Sequence, residues 1–289
     1  MEGKCYLCAS FSDLATLQFN HMKSRFLLFL LLGAVLVSCS DYQQLLKSTD
    51  YELKWNKANE FYEQRKYQRV IELLEELQAI HKGTDRAEQT LFMLGNSYFN
   101  RKDYLTAEHY FDSYTKTYPK GTFAEECRFL SGKAAYLSSP DPRLTQDETY
   151  KAIRLLNVFL DYYPESDRRD EVTSMLDELQ DKLAYKQLLN SRLYFNLGNY
   201  MGYNNYESCI VTANNALMDF PVSKYREELA FLILKSRYVL ATQSVPELLM
   251  DRYRATLDEY YAYINEFPAG KFRKDADGIL KETRKIIKE

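Results

Sequence analysis

The stretch LFMLGNSYFNRKDYLTAEHYFDSYTKTYP, residues 91–119, decides the fold of this chain. Its first half places small or apolar residues at helical spacings of three and four: Leu91, Leu94, Gly95 and Tyr98. After a tight turn at 101–103, its second half marks the inner face of another helix: Ala107, Phe111 and Tyr114. Pro119 ends this second helix because its ring clashes with the preceding turn. The stretch therefore predicts one helix–turn–helix unit.

A short phrase closes that unit and recurs along the chain. It reads YPKGTFAEE at 118–126, YPESDRRDE at 163–171, FPVSKYREE at 220–228 and FPAGKFRKD at 267–275, with a degenerate copy, IHKGTDRAEQ, at 80–89. The proline ends one helix, and the Gly or Ser two residues later is expected to allow the turn or to cap the next helix. The acids that follow favour the positive end of that helix. The phrase thus predicts a junction between repeats, with a structural role.

These spacings resemble the tetratricopeptide repeat, most closely at 91–119. We predict an all-α fold, a tetratricopeptide-like α-solenoid of about five helix pairs plus a C-terminal capping helix, over residues 53–289. The predicted units are about 53–81, 89–119, 123–164, 168–221 and 225–268, with the cap at 272–289. The third unit carries an insertion from Ser138 to Glu148.

The N-terminal region has the features of a bacterial lipoprotein signal. Lys23 and Arg25 precede a twelve-residue apolar run, 26–37, which suits a signal peptide and is too short to span a membrane. The run leads into Leu36-Val37-Ser38-Cys39, which resembles a lipobox and implies lipid attachment to Cys39. We therefore expect a signal peptide at 22–38 and a lipidated tether at 39–52. An ordinary signal peptide that contains a cysteine is the alternative.

Residues 1–21 precede this signal and are expected to be a non-native upstream extension, since Met22 suits the initiator. Cys5 and Cys8 form a lone CxxC there, which without a second pair does not predict a metal site. Cys127 and Cys209 occupy positions where small core residues are expected. A disulfide between them is the alternative, because the periplasm permits one.

No enzymatic chemistry is indicated. The chain has a net charge of −3, which gives no broad basic face for nucleic acid, and it contains three His, none with a metal-like neighbour at i+4. Phosphate-binding, zinc-protease and serine-hydrolase motifs are absent from the sequence. We predict a protein that is not an enzyme, has no catalytic or metal site, and has no cofactor apart from a covalent lipid on Cys39.

Stacked helix pairs form a concave surface lined by the first helix of each unit. Two units repeat an aromatic–Asn–aromatic pattern beside the core stripe, and the third is expected to extend it: Trp55, Asn59 and Tyr62; Phe92, Asn96 and Phe99; Phe129, Lys133 and Tyr136. Asn amides suit the backbone of an extended peptide, and aromatic rings suit its side chains. We predict a substrate-peptide groove here. The alternatives are that the aromatics pack between repeats and that the Asn residues are ordinary solvated ones.

A lipobox followed by about five such repeats resembles the BamD family of outer-membrane assembly lipoproteins, over nearly all of 39–289. The Tyr-rich composition is similar to that of Bacteroidetes members. The resemblance implies a lipid-anchored protein on the periplasmic face of the outer membrane, within the β-barrel assembly machinery. It implies that N-terminal repeats meet unfolded outer-membrane proteins and that C-terminal repeats dock a BamA-like barrel-forming subunit.

An Arg that family members use in the fourth repeat has no match, since that region reads Thr212-Ala213-Asn214-Asn215. No partner-contact residue is therefore carried over. The alternative function is a tetratricopeptide lipoprotein scaffold of another envelope complex, serving secretion, gliding or cell-wall remodelling. A sugar-binding surface lipoprotein is a third, although such chains are usually much longer and carry extra loop domains.

Overall fold

The computed structural model describes residues 41–288, which form helices joined by turns, with no β-strand among them. They divide into two compact units, one ending at Lys102 and the other beginning at Asp103. The boundary lies in the turn between the two helices predicted as repeat 89–119, so each unit is described by itself. The predicted upstream extension with Cys5 and Cys8, the signal peptide at 22–38 and the lipidation site Cys39 all lie outside the described residues.

The described part of the first unit, residues 41–102, contains four helices. They are α1 (41–47), α2 (Tyr51–Glu63), α3 (Tyr67–His81) and α4 (Ala87–Asn100). Helix α3 packs against both α2 and α4. Asp50 caps α2 by accepting a hydrogen bond from the Leu53 backbone N–H at 2.9 Å. The Lys54 ammonium, which is buried, ties three helices together by donating to the Leu46 carbonyl at 2.9 Å and to Glu76.

The second unit contains eight α-helices and one short 3₁₀ helix among the residues that the structure describes. They are α5 (Tyr104–Thr117), α6 (Ala124–Ser138), α7 (Asp147–Tyr162), α8 (Arg169–Leu197), a 3₁₀ turn (Tyr200–Gly202), α9 (Asn205–Asp219), α10 (Arg226–Thr242), α11 (Pro246–Glu266) and α12 (Arg273–Ile287). Consecutive helices pack on one another throughout. Helix α12 packs on α10 and α11 and buries Ala276 and Ile279.

The predicted fold class is confirmed. Helices α2 to α11 follow one another as five sequential pairs, and α12 comes after the last pair. The inner faces of these helices supply the core, as the sequence periodicity indicates: Ala107, Phe111 and Tyr114 of α5 are fully buried. Helices α6 and α7 approach so closely that a Cβ at Gly132 would lie 2.7 Å from a methyl group of Leu156. No helix within 41–288 has both the length and the apolarity needed to cross a membrane.

The recurring proline phrases lie between successive helices, and their Gly or Ser closes the turn, as in the hydrogen bond from the Gly121 N–H to the Tyr118 carbonyl at 3.0 Å. Capping of the next helix, the other predicted role, is not seen at Ser166. The Ser166 hydroxyl donates to Glu125 at 2.6 Å and accepts from the backbone N–H of Arg168, the residue before the helix. Gly270 does not have a positive φ. It is needed because a Cβ there would lie 2.4 Å from an oxygen of Glu227 and 3.0 Å from the Tyr263 hydroxyl.

The insertion in the third predicted unit is held against α8. Its loop, 139–146, follows α6, and two lysines of α8 donate to it. Lys182 Nζ lies 2.7 Å from the Ser139 hydroxyl, and Lys186 Nζ lies 2.5 Å from the Leu144 carbonyl. Burial lowers the pKa of Lys182. The loop is therefore an anchored part of the second unit.

Cys127 and Cys209 are buried thiols, as expected for core residues. Cys209 packs in one hydrophobic cluster with Ala213, Ala216 and Leu229. Burial raises the pKa of the Cys209 thiol, so it stays protonated at neutral pH. Its position is that of a small core residue.

Candidate functional site

The structure brings the predicted groove residues of α2 and α4 side by side in the first unit. Arg86 at the start of α4 pairs with Glu52 of α2 through two hydrogen bonds of 2.7 and 3.0 Å. One helical turn later, Gln89 Nε2 donates to Asn59 Oδ1 at 3.3 Å. These contacts align the two aromatic–Asn–aromatic stripes along neighbouring helices.

Trp55 is not an open groove residue. Its exposed fraction is 7%. The His81 ring meets it edge-on with centroids 4.9 Å apart, and the Arg86 guanidinium lies 5.5 Å from its centroid. His81 in turn contacts the Thr90 hydroxyl at 2.8 Å. For Trp55 the structure therefore supports the alternative that the aromatics pack between repeats, because α3 and α4 cover it.

The two Asn residues are partly buried, and their amides already have partners within the protein. Asn59 Nδ2 donates to the Trp55 carbonyl at 2.8 Å, while its oxygen accepts from Gln89. The Asn96 oxygen accepts a hydrogen bond from Asn100. A primary amide has two N–H groups, so each Asn retains donor capacity beyond these bonds. They are fixed polar groups rather than freely rotating surface amides.

The remaining aromatic residues of these stripes are neither fully buried nor fully exposed. Tyr62 of α2 meets Tyr67 of α3 edge-on, with ring centroids 6.2 Å apart. Phe92 and Phe99 lie on the same stripe of α4 as Asn96. We call the set Asn59, Tyr62, Phe92, Asn96 and Phe99 the α2–α4 surface. It offers half-buried rings beside fixed amides.

Phe129, Lys133 and Tyr136 belong to the second unit, where they connect α6 to its neighbours. Phe129 is 3% exposed and covered by the Arg168 guanidinium, 4.2 Å from its centroid, so it too packs internally. Lys133 pairs with Glu171 at 2.7 Å. The Tyr136 hydroxyl donates to Glu178, and this bond raises the pKa of Tyr136 to about 12. All three side chains therefore make contacts that hold α6 in place.

A surface that the sequence analysis missed lies at one end of the helix pairs α8–α9 and α10–α11. The connection between α8 and α9 exposes Tyr200, Met201 and Tyr203, and the start of α11 exposes Val245 and Leu248. Asn199 Nδ2 joins the two connections by donating to Gln243 Oε1 at 2.6 Å. The sequence did carry a signal, since residues 193–206, LYFNLGNYMGYNNY, contain no charge in a chain that is 27% charged.

The connection between α8 and α9 is firmly held although its apolar side chains face outward. Asn205 donates to the Gly198 carbonyl through its backbone N–H at 3.0 Å and its side chain at 2.9 Å. Tyr206 packs so close to Gly198 that a Cβ there would lie 2.8 Å from its hydroxyl. Met201 has φ +53°, in the left-handed region that costs a residue with a side chain about 1–2 kcal/mol.

A pocket of about 310 Å³ opens beside these connections, between α9, α10 and α11. Its apolar lining comes from Ile210, Val211, Leu240 and Ala255. Its arginines have partners within the unit: Arg237 donates to Glu259 at 2.7 Å, and Arg252 donates to the Ser244 hydroxyl at 3.0 Å. We call the pocket and the two connections the α9–α11 surface. It combines a concave apolar site with an uncharged aromatic rim.

Among residues 41–288, no group of three or more His, Cys, Asp or Glu side chains is arranged to hold a metal ion. No curated protein matches the chain. The family model for the outer membrane lipoprotein YfiO matches residues 48–205, which is more than half of the 289 residues. The match begins just before α2 and ends at the first residue of α9. This chain is therefore a member of the YfiO family of outer membrane lipoproteins.

Proposed function

We propose that this protein is a periplasm-facing scaffold of the β-barrel assembly machinery, anchored to the outer membrane by a lipid. In this role it binds the barrel-forming subunit and presents unfolded outer-membrane proteins for insertion. Membership of the outer membrane lipoprotein family is the observation that carries the proposal. An array of helix pairs suits a scaffold because each pair adds surface without closing a catalytic cavity.

The anchor in this proposal is a lipid on Cys39. Several acyl chains hold a protein at a membrane firmly, since each buried CH₂ contributes about 0.8 kcal/mol. Replacing Cys39 by Ser in the full chain should abolish palmitate labelling. An equal labelling of the Cys39→Ser protein would reject lipid attachment at this residue.

The proposed docking site for a BamA-like barrel-forming subunit is the α9–α11 surface. An apolar pocket of about 310 Å³ has room for one large side chain of a folded partner. The exposed Tyr200, Met201 and Tyr203 beside it give the aromatic rim that protein interfaces favour. Because the neighbouring arginines already have partners, the complementary surface is expected to be largely apolar, with a cation facing Glu207, which lines the pocket and is 60% exposed.

The proposed site for unfolded outer-membrane proteins is the α2–α4 surface. Half-buried rings of Tyr62, Phe92 and Phe99 would contact aromatic or apolar side chains of an extended segment. Asn59 and Asn96 are held in fixed positions and keep a donor for the segment's backbone carbonyls. Trp55 would support this surface from beneath by fixing α2 against α3, without touching the peptide.

The deciding experiment captures the protein's partner from detergent-solubilised envelope with a C-terminal tag, followed by mass spectrometry. Recovery of the barrel-forming subunit in near-equal amount supports the assembly function. A Val211→Asp variant should lose that subunit, because Val211 lines the pocket and is 58% exposed. Leu105→Asp is the matched control, since Leu105 is 59% exposed on α5 and does not line this pocket. Recovery of another envelope machine instead would favour the alternative scaffold function.

Substrate binding is tested separately with a peptide that ends in an aromatic residue, as the final strand of an outer-membrane protein does. Phe92→Ala should weaken binding about tenfold, because the ring supplies on the order of 1–2 kcal/mol of apolar contact. Leu105→Ala is again the control. Unchanged peptide affinity in both Phe92→Ala and Phe99→Ala would place the substrate site elsewhere.

A further inference from the structure

A pocket in the first unit, within the described residues, has no role so far. It has a volume of about 510 Å³ and opens between α1, α2 and α3. Apolar and cationic side chains share its lining: Tyr42, Leu45, Leu53 and Phe61 with Lys57 and Arg69. Asp41, Gln44 and Ser48 complete the wall on the α1 side. The pocket is thus amphipathic, and one of its two cations, Lys57, pairs with Glu60 at 2.7 Å.

Arg69 is the unusual member of this lining. Its guanidinium lies 4.7 Å from the Tyr42 ring centroid and 5.3 Å from that of Phe61. The nearby Glu72 instead accepts the hydroxyl hydrogen of Tyr42 at 2.5 Å. Within the described part of the chain, no carboxylate lies within ion-pair distance of Arg69. A guanidinium packed against two rings still presents N–H groups at its edge, which suit an anion.

The pocket also lies near the proposed anchor. Asp41, which lines it, follows Cys39 by two residues, so their Cα atoms are at most about 7 Å apart. A lipid on Cys39 would hold this wall at the headgroup layer of the membrane. One stripe of α2 lines the pocket and consists of Leu53, Lys57 and Phe61. Asn59 follows Lys57 by two residues and therefore lies about 200° further around the helix axis. The pocket is therefore distinct from the α2–α4 surface.

We propose that this pocket binds the headgroup of a phospholipid from the leaflet that holds the Cys39 anchor. Arg69 would bind the phosphodiester, and Lys57 would assist it with the two N–H groups that its bond to Glu60 leaves over. Leu45, Leu53 and Phe61 would contact the first carbons of the acyl chains. The inference rests on the anchor in the proposed function. Bound in this way, the first unit has a second attachment point that fixes its orientation on the membrane, which a flexible tether alone does not provide.

The test uses the full chain with Cys39→Ser, so it does not depend on lipidation. Dihexanoylphosphatidylglycerol is added below its micelle concentration while the methyl NMR signals of Leu45, Leu53 and the remote Leu105 are followed. We expect saturable shifts at Leu45 and Leu53 and none at Leu105. Arg69→Gln should weaken binding about tenfold, because one charge-assisted contact is lost.

Lys66→Gln is the matched control. Lys66 also lies over the Phe61 ring, at 5.7 Å, but does not line the pocket. The affinity of the Lys66→Gln variant for the lipid should therefore change less than twofold. If Arg69→Gln disturbs α1, Lys57→Gln provides the same test from an exposed position, with an expected loss of a few-fold. Equal shifts at Leu105 would overturn the proposal. So would equally tight binding of glycerol phosphate, or displacement of the lipid by a peptide that ends in an aromatic residue.

Discussion

Replacing Met201 by Gly should weaken partner binding while leaving the fold as stable as before or more so. Met201 is held at φ +53° by a connection whose hydrogen bonds come from its neighbours, and its own side chain is 77% exposed. The side chain therefore contributes little to the core. Its left-handed backbone nevertheless costs free energy in every folded molecule, and such strain persists mainly where it serves a function.

The magnitude follows from two opposing effects. Glycine removes about 1–2 kcal/mol of left-handed strain, while its freer unfolded chain costs about 0.4–1 kcal/mol. The free energy of unfolding should therefore change by about 0 to +1.6 kcal/mol. Burying a whole Met side chain is worth about 1.5–3 kcal/mol. With 77% of the side chain available to a partner, the loss in binding is about 1–2 kcal/mol, or roughly five- to thirtyfold in Kd.

The assay pairs urea unfolding with titration of the purified periplasmic domain of the barrel-forming subunit. Leu105→Gly is unsuitable as a control because it would break α5, so Val222→Ala, at the exposed junction before α10, is used instead. The Val222→Ala variant should bind the periplasmic domain with the same affinity as the unchanged protein. A Met201→Gly protein that binds within twofold of the unchanged protein would refute the docking surface. A clearly destabilised one would refute the strain argument.

Two further predictions concern the fold itself. Gly270→Ala should lower the free energy of unfolding by about 1–3 kcal/mol, because the new Cβ would lie 2.4 Å from the Glu227 carboxylate. Gly278→Ala should raise the free energy of unfolding by about 0.5–1 kcal/mol, because Gly278 lies in α12 and a Cβ there would have no atom within 4 Å. Urea midpoints of the two variants must move in opposite directions if close approach, rather than helix propensity, explains Gly270. Burial lowers the pKa of His81 in the folded protein below its usual 6.5. As the pH drops below about 6.5, His81 therefore takes up a proton in the unfolded chain before it does so in the folded protein, and the free energy of unfolding should fall. Fluorescence of Trp55, the single Trp, follows this unfolding, and a pH-independent urea midpoint between pH 7 and 5.5 would contradict the assignment.

The helix pairs were predictable because local signals define them. In α5, an N-capping Asp103, a buried stripe at three- and four-residue spacing and a following proline all lie within seventeen residues. The length of α8 was harder to predict. This helix runs for 29 residues and ends at Gly198, with φ +53°, rather than at a proline. The attachment of the loop 139–146 depends on Lys182 and Lys186, some forty residues later, which no local pattern reveals.

The candidate site was predicted only in part, because periodicity gives the face of a helix but not what covers it. Residues 55, 59 and 62 do share a stripe, yet His81 and Arg86 cover its first member. Arg168 covers Phe129 in the same way, from 39 positions away in the chain. Both rings looked available because their covering groups are charged or polar residues of other helices. The uncharged run 193–206 was not recognised from the sequence as a surface, and it lies largely exposed.

Charge separates the three surfaces and indicates what each can bind. In the pocket between α1, α2 and α3, Arg69 has no ion-pair partner among residues 41–288. An anion bound there would gain a strong, salt-sensitive contact. On the α9–α11 surface Arg237 and Arg252 are already bonded, so the proposed partner would gain affinity chiefly from apolar contact, with Glu207 as an exposed charge of the lining. The α2–α4 surface offers fixed amides and half-buried rings, which suit many extended sequences and select none strongly. In the proposed function, a scaffold with these properties would hold the membrane and its partner through distinct chemistry and would exchange substrates at the weakest site.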